Sequence, residues 1–331
     1  EWVLEHDSSP SKSLLLSLGS AYQNCGDYSK ARAFFGRVMA EHPGDHLARW
    51  YTCQLDLIEE RWEEGWRNYG ARYGAGASPY RPLPFRLWDG REAPNDSLLI
   101  LADQGIGDEI MFASCVKDAQ QRVGKLILEC EPRLEAIFAR SFPGVQVVSN
   151  PRDKSLDWLD KFDPPQWQIP SGDLPALFRS RAEDFPVHGR YLQADERRME
   201  HWAQRLSGLG PGLKVGLSWR GGTDRTRLRA RSVPLPMWAD ILKAPGMQFV
   251  NLQYGAYNEE LRALQDLHGV TVHDFPEAIA DYDETAALVS QLDLVVTVCT
   301  AIVHLAGALG RPVWVLIPHA PGWRYTAKSD R

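Results

Sequence analysis

Residues Leu292 to Leu316 read L-D-L-V-V-T-V-C-T-A-I-V-H-L-A-G-A-L-G-R-P-V-W-V-L, and this stretch sets the fold class. Its β-branched apolar run, Leu294 to Val298, has the composition of a strand buried on both faces of a parallel sheet. Small and polar residues follow at Cys299, Thr300 and Ala301. Ile302, Leu305, Ala306 and Leu309 then recur at helical spacing, Gly310 is placed to stop the helix, and Pro312 lies just beyond it. Val313 to Leu316 begins a second strand. The pattern is a β–α–β unit with a very short turn into its helix. The N–H groups of Ala301, Ile302 and Val303 then point out of the sheet's carboxyl edge, an anion site suited to a diphosphate. An ordinary crossover helix accounts for the same residues.

The same alternation extends upstream. Lys214 to Trp219 reads as a strand, Leu235 to Leu242 as a helix, Gln248 to Leu252 as a strand, Asn258 to Leu267 as a helix, Val270 to Val272 as a strand and Glu284 to Gln291 as a helix. Between the first strand and helix lies R-G-G-T-D-R-T-R-L-R-A-R-S, Arg220 to Ser232, with five arginines in twelve residues. Such a loop at a strand's carboxyl end suits phosphate; a solvated charge cluster is the alternative. An earlier half repeats the theme. Ser97 to Ala102 is a strand, Asp103-Gln104-Gly105-Ile106-Gly107-Asp108 a glycine turn, and Glu109 to Gln121 a helix. The full G-x-G-x-x-G is absent. Asp108 sits at the helix start, either facing a ligand at the sheet edge or complementing the helix dipole. Lys125 to Cys130, Val145 to Val148 and Gln166 to Pro170 read as further strands, with helices at Pro132 to Arg140, Leu174 to Phe178 and Asp195 to Leu206. The glycine-rich Ser207 to Gly212 divides the halves.

The chain before these halves is different. Leu15-x-x-Leu18-Gly19-x-x-Tyr22, Gly26-Asp27-Tyr28, Ala31, Phe35 and Pro43 resemble the tetratricopeptide repeat, with Leu15 in place of its leading Trp. Trp62, Gly65 and Tyr69 form a weaker second copy, and Glu1 to Pro10 reads as the tail of an earlier one. Repeats of this kind usually present a peptide-binding surface, or they brace the next domain. From Gly74 to Asn95 the sequence turns to Gly, Pro and aromatic residues, a linker packed through Tyr80, Phe85 and Trp88.

Composition bounds the function. Apolar residues make up 44% and charged residues 24% of the 331, with a net charge of −6. That balance argues for a globular chain and against bulk nucleic-acid or membrane-surface binding. No apolar run is long enough to span a bilayer. The five cysteines, Cys25, Cys53, Cys115, Cys130 and Cys299, are scattered without a C-x-x-C, as free thiols in a reducing cytoplasm would be.

Taken in order, L-L-I-L-A-D-Q-G-I-G-D-E-I-M-F, K-V-G-L-S-W-R-G-G, R-S-V-P-L, F-V-N-L-Q, the stretch from Asp283 to Pro318 and W-R-Y resemble bacterial tetratricopeptide-repeat glycosyltransferases. The catalytic half is similar to heptosyltransferases, and the architecture to O-GlcNAc and flagellin glycosyltransferases. The resemblance implies an α/β chain of the GT-B class: two facing Rossmann-like domains behind an all-α repeat segment. Residues 1–73 are expected to be the repeats, 74–95 the linker, 96–207 the acceptor domain and 208–331 the nucleotide-sugar donor domain. It implies inverting transfer from a nucleotide sugar, without metal or other cofactor, to a protein or peptide acceptor held by the repeats.

On the family pattern Asp108 is the general base, and Gln104, Gly105 and Gly107 form the acceptor-side loop. Arg220, Arg231 and the turn Cys299, Thr300, Ala301 and Ile302 hold the donor's phosphates. Gln253 lies near its base or ribose, and His304 faces the cleft or packs beneath the helix. The family usually has Asp where this chain has Cys299. The thiol is a poor hydrogen-bond partner for sugar hydroxyls, which favours a second reading: a catalytically silent module on a peptide-binding scaffold. A sugar-nucleotide epimerase is a third. Asp281-Tyr282-Asp283 is a D-x-D but reads as a loop, not a metal site. The chain has the look of a fragment cut at both ends.

Overall fold

The structure, a computed structural model, describes residues 10–151, 155–186, 189–222 and 228–327. The segment read as an earlier repeat lies, apart from Pro10, outside the described residues. The chain forms two compact units.

One unit draws on Glu1–Pro84, Asp173–Phe185 and Ile317–Arg331. It begins with helices α1 (Lys12–Asn24), α2 (Tyr28–Glu41), α3 (His46–Ile58), α4 (Trp62–Asn68) and α5 (Ala71–Gly74). Ser11, Asp27 and Asp45 cap the first three, their side chains accepting from the N–H groups of Leu14, Lys30 and Ala48. Gly19 lets α1 lie against α2, because a Cβ there would stand 2.4 Å from the Phe35 ring. Leu15, Ala31, Phe35, Val38, Ala48 and Leu55 are buried in the resulting core.

Two distant segments complete that core. Arg72 is fully buried between the rings of Tyr69 and Tyr73, at 4.5 and 4.2 Å, and reaches Asp173 Oδ1 at 2.6 Å. Trp323 stands edge-on to Trp66 and to Tyr69, both at 5.5 Å between centroids. The N–H of Ala327 donates to the Ile58 carbonyl.

The other unit carries both α/β halves. Its first sheet contains β1 (Arg86–Leu87), β2 (Ala93–Leu101), β3 (Val123–Cys130), β4 (Gln146–Ser149) and β5 (Trp167–Pro170), in the order β1-β5-β2-β3-β4, all parallel. The second contains β6 (Leu213–Ser218), β7 (Met247–Asn251), β8 (Leu294–Val298) and β9 (Val313–Leu316), in the order β7-β6-β8-β9, again parallel. Helices α6 (Ile106–Phe112), α7 (Val116–Gln120), α8 (Glu135–Ser141), α9 (Glu196–Ser207), α10 (Asn258–His268), α11 (Tyr282–Ser290) and α12 (Ala301–Ala308) connect and cover the strands.

Three local differences from the sequence reading have simple causes. Arg86–Leu87, inside the presumed linker, adds an edge strand by pairing with Trp167 and Gln168 of β5, and the Trp88 N–H donates to the Gln168 carbonyl. The helix after the glycine turn begins three residues early, at Ile106, where Gly105 caps it. Val270 to Val272 is not a strand. Between the left-handed Gly269 and the helix-starting Pro276 there is room only for one bridge, His273 to Val250.

The halves are also joined through ions. Arg140 of α8 makes a bidentate pair with Asp283 of α11, at 3.0 and 2.8 Å, and donates to the Gln193 carbonyl. Arg198 of α9 pairs with Asp281 and Glu284, and the Trp202 indole N–H donates to Glu284. The D-x-D aspartates are therefore engaged by arginines, with Asp281 also capping α11. Among the described residues no helix is long and apolar enough to cross a membrane.

Candidate functional site at the two facing turns

The turn after β8 is built by Thr300. Its backbone is extended and its hydroxyl accepts the Ile302 N–H at 3.3 Å, so α12 starts at Ala301 with one of its leading amides already satisfied. The loop after β6 presses against this turn. A Cβ on Gly221 would lie 2.7 Å from the Cys299 carbonyl oxygen and 2.8 Å from Thr300 Cγ2, so only glycine fits. The Arg231 guanidinium donates to that same Cys299 carbonyl, which fixes a cation beside the amino end of α12. Cys299 is 2% exposed, with its sulfur turned toward the Leu316 carbonyl, 4.0 Å away. Residues 223–227 of the arginine loop, with Arg225 and Arg227, lie outside the described residues.

Arg220 and Gln253 belong to the β6–β7 side. Gln253 is buried, and its amide oxygen accepts from the N–H groups of Trp219 and Arg220 at 3.0 and 2.8 Å. Its role visible in the fold is to hold the end of β6. Arg220 donates to the Ala256 carbonyl and pairs with Glu260 at 2.8 Å. These residues, with Asn258 and Glu259, line a cleft of about 430 Å³.

The turn after β2 is strained. Gln104 has φ +63°, a left-handed conformation uncommon for a residue with a side chain. Asp108 is the third residue of α6, half-buried, and its Oδ2 accepts the Gly105 N–H at 3.2 Å. Behind the turn stands Glu129, which sequence reasoning missed. It is 1% exposed; one oxygen accepts the Ala102 N–H at 2.8 Å and the other the Asn150 amide at 2.6 Å. Glu109, also buried, accepts the Glu131 N–H. Burial and these carboxylates, Glu109 foremost, push the Cys130 thiol well above its ordinary range. The available signal was a carboxylate closing an apolar strand, L-I-L-E: a charge at that place is either satisfied or costly.

The two turns meet. A Cβ on Gly107 would lie 3.1 Å from His304 Cδ2 and 3.3 Å from Ala301 Cα. The amino ends of α6 and α12, from opposite sheets, are thus in contact. This junction gathers Gln104, Gly105, Gly107 and Asp108 on one side, and Thr300, Ala301, Ile302, His304 and Arg231 on the other. The chemistry available there is a carboxylate, an imidazole, a fixed guanidinium and a helix amino end at the carboxyl edges of two parallel sheets, the edge where open α/β sheets bind ligands.

No protein-family model matches the chain. Protein FlbA of Caulobacter vibrioides is 35% identical to it over 268 residues, which are 76% of this chain and 45% of FlbA. The chain thus spans under half the length of this curated relative. Among solved structures, the glycosyl transferase family 9 protein of Veillonella parvula aligns with 69% of this chain and 82% of its own, at 11% identity and a TM-score of 0.49. The E. coli heptosyltransferase WaaC with ADP-2-deoxy-2-fluoro heptose aligns over 70% and 96%, at 16% identity and a TM-score of 0.44.

Proposed function

We propose that the chain is a GT-B glycosyltransferase that moves a sugar from a nucleotide-sugar donor to an acceptor hydroxyl, with inversion and without a metal. The observation that carries this reading is the Gly107 junction, which sets the Asp108 turn of one sheet against the Thr300 helix of the other. In the reaction the acceptor oxygen attacks the anomeric carbon from one side. The bond from that carbon to the phosphate oxygen breaks on the other, and its electron pair leaves with the diphosphate. Asp108 takes the acceptor's proton. Arg231 and the amino end of α12 hold the charge that develops on the departing phosphate. The acceptor is a protein or peptide, presented by helices α1–α5 acting as tetratricopeptide-type repeats. The signature residues and the close approach at Gly19 support that part.

A second reading, a nucleotide-binding module without transfer, is favoured by one contact: Asp108 already accepts the Gly105 N–H as a helix cap. Calorimetry with UDP, GDP, ADP, CMP and dTDP, followed by a transfer assay, separates the two. On the transferase reading Arg231→Ala weakens nucleotide binding by roughly 1.5–3 kcal/mol. Asp108→Asn leaves binding intact and cuts turnover by about 10²–10⁴-fold. Nucleotide binding with no transfer by the parent protein, on any common donor, leaves the module reading. No binding of any nucleotide ends both.

A further inference from the structure

Tyr191 lies in the segment that joins the halves, and it touches both helices of the site. Its hydroxyl donates to the Ile110 carbonyl of α6 at 3.0 Å. Its backbone N–H, and that of Leu192, donate to the Ala308 carbonyl of α12, each at 3.0 Å. The remaining carbonyls at the end of α12 are accounted for within its own turn. Leu309 N–H bonds to Leu305, Gly310 N–H to Gly307 and Arg311 N–H to Ala306, with Gly310 at φ +72°. Ala308 is the last helical carbonyl, and the joining segment satisfies it. The segment is also tightly seated: a Cβ on Gly310 would stand 3.4 Å from Arg190 Cβ, and Leu192 is fully buried.

At their other ends the same two helices meet through Gly107, Ala301 and His304. They therefore lie side by side with their amino ends together at the junction. One residue, Tyr191, ties them toward their carboxyl ends. Burial pushes the Tyr191 phenol well above its ordinary range, so it remains a donor throughout physiological pH.

We propose that Tyr191 is a positioning residue whose hydroxyl couples α6 to α12 and so sets the distance between the Asp108 turn and the Thr300 turn. The catalytic consequence rests on the transferase reading above; the coupling itself does not. A lost tie at the carboxyl ends leaves each helix folded, because the backbone bonds to Ala308 persist at α12 and those to the Gly105 carbonyl persist at α6. It lets the amino ends shift relative to one another, and an effect of that kind falls on turnover more than on binding to either half.

The test compares the parent protein with Tyr191→Phe, and with 4-aminophenylalanine at 191, which keeps a donor at the ring's end. Hydrogen exchange is read on peptides covering 106–112 and 301–308. Loss of the hydroxyl is expected to speed exchange about five- to tenfold in both peptides, the order set by one neutral hydrogen bond. The 4-aminophenylalanine protein is expected to exchange like the parent. In the transfer assay kcat falls about tenfold with the donor KM changed less than twofold, and the amino variant restores it. Unchanged exchange in Tyr191→Phe, or faster exchange in only one of the two peptides, overturns the coupling whether or not the protein transfers sugar. Faster exchange in both, rescued by the amino group, supports it even if no donor is ever turned over. In that case the transferase reading alone is lost.

Discussion

Gly107 and His304 belong to opposite halves of the α/β unit, yet they approach so closely that a Cβ at 107 would lie 3.1 Å from the imidazole Cδ2, tighter than an ordinary contact. The backbone of Gly107 is not in the left-handed region, so the constraint there is purely one of space.

That distance makes Gly107→Ala a selective probe. The imidazole or the helix start has to yield by a few tenths of an ångström, a small strain in a packed interior. Folding stability is expected to fall by only about 1 kcal/mol. Turnover is expected to fall about tenfold or more, because small displacements of reacting groups are expensive in rate. Thermal denaturation and initial rates on one preparation check this. Equal relative losses in stability and rate would place the reacting atoms elsewhere.

Leu294–Val298 was legible in the sequence because burial on both faces writes itself as a continuous apolar run. Val313–Leu316, an edge strand with Trp314 exposed, was legible from its apolar run and from Gly310 and Pro312, which end the helix before it. Arg86–Leu87 carried no such signal, since a two-residue edge strand exists only through its partner Gln168. Gln104 and Asp108 could be picked out as a turn beside a strand end. That the turn faces His304 could not, because nothing in the local pattern of either stretch encodes an approach between the two. Glu129 was hidden for a related reason: its value lies in reaching the Ala102 amide and Asn150 across two neighbouring strands.

Cys299 invites replacement by aspartate, the residue its resemblance suggests, and the structure gives the cost. The sulfur is buried and faces the carbonyl of Leu316. A carboxylate placed there loses solvent and meets an oxygen, so Cys299→Asp is expected to destabilise the fold by about 2–4 kcal/mol. Cys299→Ser, neutral and nearly isosteric, is expected to cost about 1 kcal/mol. Denaturant melts of the two variants test the difference. Wild-type stability in the aspartate variant would mean that the side chain turns out to water.

Trp323 is expected to be indispensable to the helical unit. It is nearly buried against Trp66 and Tyr69, and removing a large buried ring costs about 3–5 kcal/mol. Trp323→Ala should expose the region of residues 10–84 to limited chymotrypsin cleavage at concentrations that spare the parent. An unchanged digestion pattern would show that those helices stand without it.

His273 should make stability acid-sensitive. Burial, then the charge of Lys214, holds its imidazole below the ordinary range, and its Nε2 lies 3.0 Å from Gln248 Oε1. Above a pH of about 6.5 the ring is neutral in both folded and unfolded chains. As pH falls past that value the unfolded chain binds the proton first. Stability is therefore lost until the folded ring protonates as well. The melting temperature of the parent is expected to drop more between pH 7.5 and 5.5 than that of His273→Gln, which retains a donor for Gln248. Parallel curves would remove His273 as the cause.

The three-segment core of the helical unit has a consequence for how the chain is made. Synthesis delivers Trp66, Tyr69 and Arg72 before Asp173, and Asp173 before Trp323. Until then a guanidinium and a set of aromatic rings await partners that are still unsynthesised. Contacts so distant along the chain close slowly and leave apolar surface open in the interval. Helices α1–α5 are therefore translated well before the residues that finish their core. Chaperone dependence is expected to concentrate there.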